Sequence, residues 1–145
     1  MNETDRAHCA AFAGLLRAAA GCVGGWGLGL TAIAALALAL EVGTLSMTAT
    51  MGFGAVAVLG VLERYFALRL RFDQQLFARL ADGAIASLGA LDTALARLAL
   101  RPAPTGARTL ADRIAGTRVL MQRHGIVVAC QSAMFLLALM TQDLP

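Results

Sequence analysis

The sequence predicts an all-α integral membrane protein with three transmembrane helices and a cytoplasmic helical hairpin between the second and the third. Three observations lead there. The chain carries three long stretches with no formal charge, at 18–40, 42–62 and 124–142. Its arginines all fall outside those stretches. The segment between the second and third stretches has the periodicity of amphipathic helices, broken once by prolines.

The apolar excess is concentrated in these runs. Over its 145 residues the chain is 59% hydrophobic and 14% charged, with a mean hydropathy of +0.71. A soluble domain is nearer half apolar and a quarter charged. Here the charge deficit comes from three blocks, which points to lipid rather than to an unusually apolar soluble core. A hydrocarbon layer about 30 Å thick takes about 20 helical residues to cross. Each run meets that length, and inside lipid only helices or closed barrels satisfy the backbone. The ten-residue alternation of barrel strands is absent.

Spans one and two are nearly contiguous, and Glu41-Val42-Gly43-Thr44 is the only plausible turn between them, so they form an antiparallel hairpin. One continuous helix would put a glutamate at its middle, which lipid disfavours. A cleaved leader is disfavoured too. The apolar run exceeds a leader's 7–15 residues, and Glu3 and Asp5 stand in the segment before it.

Orientation follows from arginine. All twelve basic residues are arginine, a composition suited to a GC-rich bacterial genome. Ten lie within 63–123, against five acids, and the other two, Arg6 and Arg17, precede span one. Basic residues near span ends stay in the cytoplasm. Residues 1–17 and 63–123 are therefore expected inside a bacterial inner membrane, and the turn and C-terminus outside. Tyr65 and Phe66 fit interfacial positions, as does Trp26 if the first span starts near Cys22.

The cytoplasmic segment is too long for a plain connection. Leu88, Leu91, Leu95 and Leu98 recur at helical spacing, and Leu110, Ile114 and Met121 continue the pattern. Arg101-Pro102-Ala103-Pro104-Thr105-Gly106 breaks any helix, so 101–106 is the hairpin turn. Thr109 and Asp112 resemble a capping pair. Ala67–Phe72 alternates like a strand, but an isolated strand has no partner and helix is preferred. Asp82-Gly83 reads as a kink in the first cytoplasmic helix.

Gly21, Gly25 and Gly29 form two overlapping small-xxx-small steps on one helix face. They are expected to pack on this chain's own second span through Ser46, Thr50 and Gly54. The other reading is a docking face for a second copy or a partner. Gln131 and Ser132 are polar within span three, and an amide in lipid needs a partner across a helix interface. Arg64, Arg69 and Arg71, just past span two, suit anionic lipid headgroups.

No catalytic site is legible. His8, Cys9 and His124 lack the paired spacing of a closed metal site, and His124, beside Arg123, reads as an interfacial anchor. Glu41 and Glu63 sit at a turn and a boundary, leaving the spans without an interior carboxylate for ion coupling. There is no phosphate-binding glycine loop. The scattered arginines lack a concentrated tract, so no nucleic acid is expected. Cys9, Cys22 and Cys130 are odd in number and irregularly spaced, which does not describe a disulfide framework.

The functional expectation is a non-enzymatic, cofactor-free accessory or scaffold subunit. It would contact lipid and a membrane or cytoplasmic protein partner, or oligomerise. A small oligomeric transporter or channel component is the alternative. An enzyme would need its cofactor or catalytic group from a partner.

Overall fold

The computed structural model describes residues 2–40, 45–85, 87–98 and 109–142. These form four helices with no strand: α1 (Glu3–Leu40), α2 (Met47–Ala81), α3 (Leu88–Arg97) and α4 (Leu110–Met140). The expected turns at Glu41–Thr44 and 101–106 lie outside the described residues.

Each helix starts on a polar side chain that meets an otherwise unpaired backbone N–H. Asn2 Oδ1 accepts from the Asp5 N–H, and the Asp5 carboxylate accepts in return from the Asn2 N–H. Ser46 Oγ accepts from the Ala49 N–H and Ser87 Oγ from the Ala90 N–H. Thr109 Oγ1 accepts from the Asp112 N–H, while Asp112 accepts from both the Thr109 N–H and its hydroxyl. The last is a capping box with Asp at the third position instead of the usual Glu.

Helices α1, α2 and α4 are each long and apolar enough to cross a membrane. Their most apolar stretches are only 22%, 33% and 28% buried within the chain. Leu36, Met51, Val58, Val61, Ile126 and Met140 are all exposed. Water would charge heavily for so much apolar surface; lipid does not.

The residues gather into two compact units. The first comprises Met1–Ala18 and Leu70–Leu120, the second Ala19–Arg69 and Met121–Pro145. In the first unit, Cys9, Phe12 and Leu16 of α1 are buried with Leu70, Phe77 and Leu80 of α2 and Leu91 and Leu95 of α3. Phe12 and Phe77 meet edge to face at 5.0 Å, the arrangement ring quadrupoles favour. Thr117 donates to Asp73 at 2.9 Å, and Arg113 pairs with Asp92 largely out of solvent.

The hairpin expected over 63–123 is more divided than its sequence suggests. α2 runs unbroken to Ala81, α3 follows, and the start of α4 supplies a third helical segment. Asp82-Gly83 ends α2 instead of kinking it. Gly83 has φ +73°, a left-handed conformation natural to glycine, and its N–H closes on the Leu80 carbonyl. Ser87 then opens α3. Of the leucine stripe, Leu91 and Leu95 are buried, while Leu98 at the C-cap is 67% exposed. Residues 3–17 are helical and continuous with the first apolar run.

In the second unit, Leu30 and Ala34 pack with Ala49, Phe53, Val56 and Ala138. Phe53 and Phe135 make an edge contact at 5.8 Å. Ser46 Oγ donates to the Thr141 carbonyl, tying the start of α2 to the end of α4.

Candidate functional site

Glu63 is the centre of the most polar part of the second unit. α2 buries Ala49, Val56, Glu63, Leu70 and Phe77, a strict seven-residue repeat. α4 buries Thr117, His124, Gln131 and Ala138 at the same interval. Such a repeat keeps one seam of a helix facing its neighbours. Glu63, His124 and Gln131 thus occupy seam positions that an apolar residue would ordinarily take, and they are 0%, 3% and 0% exposed.

The Glu63 carboxylate has three close donors. His124 Nε2 lies 3.0 Å from Oε1, and Arg64 Nη2 lies 2.7 Å from the same atom. Arg64 Nε donates to Oε2. Arg64 Nη2 also donates to the Gly24 carbonyl of α1 at 2.6 Å. A buried carboxylate demands compensation of this kind, since losing water costs several kcal/mol per ion, about 5 as an order of magnitude. Arg64 retains 39% side-chain exposure, so its own charge still reaches the surroundings.

Seven residues along α4, about 10 Å, Gln131 binds both of the other helices of the unit. Its Nε2 donates to Thr31 Oγ1 at 2.8 Å, to the Gly27 carbonyl at 3.2 Å and to the Val56 carbonyl at 3.4 Å. Thr31 Oγ1 in turn donates to the Gly27 carbonyl. Backbone carbonyls only accept, so the amide nitrogen must face them. Gln131 Oε1 is then left buried without a donor among the described residues. Ser132, its neighbour, accepts from Trp26 Nε1 at 2.9 Å and donates to the Val128 carbonyl.

Glycine makes the site possible. A Cβ on Gly27 would stand 3.0 Å from both Cγ and Cδ of Glu63 and 3.3 Å from Gln131 Oε1. Hydrogen alone leaves room for both side chains over that Cα. Gly60 performs the same service for Thr31.

Several residues singled out in the sequence lie elsewhere. Gly21, Gly25 and Gly29 do not pack on the second span: all three are exposed, and a Cβ on any of them would meet nothing within 4 Å. Gly24 and Gly27 face the neighbours instead. On α2, Thr50 is exposed and a Cβ on Gly54 would meet nothing within 4 Å, while Gly52, against Ala138, and Gly60 make the close approaches. Ser46 is a helix cap and tether. Of the arginines assigned to headgroups, Arg69 and Arg71 are exposed, but Arg64 is engaged with Glu63 and Gly24.

Two expectations are overturned. His124 is not an exposed anchor, and Glu63 is not a bare boundary residue, because each buries the other. Their signal was present in the sequence: Glu63 continues the 49–56 apolar register, and His124 stands seven residues before Gln131. Among the described residues no cluster of three or more His, Cys, Asp or Glu could hold a metal ion. Comparison with protein-family models, curated proteins and solved structures finds no match to this chain.

Proposed function

We propose that this chain is a non-enzymatic scaffold subunit of a bacterial inner membrane, with its N-terminus in the cytoplasm and its C-terminus outside. It docks a partner through the Gly21, Gly25 and Gly29 face or through the segment between α2 and α4. The carrying observation is that this glycine row is open while Gly24 and Gly27, on the same helix, are taken up internally. Small residues in register let a second helix approach closely in lipid, and among the described residues nothing stands within 4 Å of a Cβ on any of the three. The confinement of arginine to 63–123 and the N-terminal segment supports the orientation.

The test is association in mild detergent. Gly25→Leu places a side chain into open space, so it should leave helix content and thermal stability unchanged. It should reduce the co-purifying or cross-linked species by at least about tenfold, the consequence of blocking a close helix contact worth ~1.4 kcal/mol or more. Cys22, exposed beside the row, is the natural cross-linking position. Wild-type protein that stays monomeric and recovers no companion would refute the reading.

The alternative, a small transporter assembled from several copies, is favoured by the buried Glu63 carboxylate. Ionisable groups buried among spanning helices commonly serve ion pathways. Ion flux into liposomes carrying the pure protein separates it from the scaffold reading.

A further inference from the structure

We propose that Glu63 is a proton-binding residue with two hydrogen-bonded states: ionised against Arg64 and His124, and protonated with its hydroxyl donated to Gln131 Oε1.

Gln131 Oε1 is fully buried and has no donor among the described residues, and leaving such an atom unpaired is costly. The Gly27 and Val56 carbonyls, which only accept, face the amide nitrogen and favour this orientation over the turned one. A donor must come from a neighbour. Glu63 and Gln131 converge over Gly27, at 3.0 Å and 3.3 Å from the point where a Cβ would stand. The carboxyl carbon and the amide oxygen are therefore no farther apart than those two distances combined, with no side chain from Gly27 between them. An ionised carboxylate only accepts and can do nothing for Oε1. A protonated carboxyl donates one O–H.

The charge balance permits both states. In the first, Arg64 neutralises Glu63. In the second, one proton from solvent is bound to a Glu63 oxygen, no other covalent bond changes, and the Arg64 hydrogen bond to that oxygen is given up. The remaining carbonyl oxygen still accepts from His124 Nε2. Arg64 is then freed from its partner, and its partial exposure lets its guanidinium be met outside the site. The groups facing Glu63 are Arg64 from α2 and His124 and Gln131 from α4. From α1, Gly24 and Gly27 pack against Glu63 and carry no titratable side chain: a Cβ on Gly24 would stand 3.8 Å from its Oε1 and one on Gly27 3.0 Å from its Cγ and Cδ. The ligand of this site is thus a proton, taken up where the apolar run of α2 ends.

Infrared difference spectroscopy of the full chain in lipid nanodiscs tests this, acidifying from about pH 8 to about pH 4, across the ordinary carboxyl range. Circular dichroism follows helix content in parallel. A protonated-carboxyl C=O band should appear in wild type and be missing from Glu63→Gln. In Gln131→Leu the band should persist at higher frequency, since the hydroxyl has lost its acceptor. Both substitutions nearly conserve volume. If no Glu63-dependent band appears while the helices remain intact, the proton site is refuted. If the band appears at an unchanged frequency in Gln131→Leu, the second state is refuted.

Discussion

Cys9 shows how a residue's surroundings set its chemistry. It is fully buried beneath the first turns of α1, and burial, with the nearby Asp5 carboxylate, pushes its thiol above the ordinary value. The charged thiolate is the reactive form, so Cys9 should resist N-ethylmaleimide at pH 8 in folded protein carrying Cys22→Ser and Cys130→Ser. It should react at the rate of a free thiol once the chain is denatured. The linkage has a definite sign. A pKa raised on folding means the folded state holds its proton longer, so this contribution is present below the unfolded thiol's pKa. It is lost as pH rises through the folded value. Stability measured by chemical denaturation should therefore fall more steeply in alkali for wild type than for Cys9→Ala. Equal slopes would show that the thiol is not coupled to folding.

At the scale of elements, α1 carries two sets of glycines with opposite roles. Gly24 and Gly27 turn toward α2 and α4, and Gly21, Gly25 and Gly29 turn away. Gly27→Ala should destabilise the second unit by about 1–3 kcal/mol, because Glu63 and Gln131 must move from a methyl group pressed against them. Unfolding in detergent measures this, and the loss should far exceed that of Gly25→Ala, whose methyl enters open space. An equal effect at both sites would mean that helix propensity governs and the close contact does not. The helical type of the elements was legible from periodicity, as was the Thr109–Asp112 start of α4, but the break that separates α2 from α3 at Asp82-Gly83 was read as a kink. The glycine face that packs was not legible. Gly21, Gly25 and Gly29 have the more regular spacing, but i, i+3 contacts at 24 and 27 complete the buried seam with Leu30 and Ala34. Spacing says which residues share a face, not which face meets a neighbour.

At the scale of the molecule, three helices are long and apolar enough to cross a membrane, and the proposed insertion and orientation are open to direct test. A reporter active only outside the cytoplasm, fused after Pro145, should be active, and the same reporter placed between Leu98 and Thr109 should be silent. The reverse pattern would invert the proposed orientation. Recovery of the untreated chain in the supernatant after high-speed centrifugation would exclude membrane insertion.

By itself the sequence determined the all-helical class and three helices with the length and composition to cross a membrane. Those properties follow from local quantities: run length, charge and period. Tertiary structure alone decided the polar seam. Glu63 stands at the edge of one apolar run and His124 at the edge of another, sixty-one residues apart in sequence, and each looks like an ordinary boundary residue. Only packing α2 and α4 against glycines of α1 brings the carboxylate, imidazole and amide together. A buried polar group survives by the partner it meets, and that partner is set by the fold rather than by its neighbours in the chain.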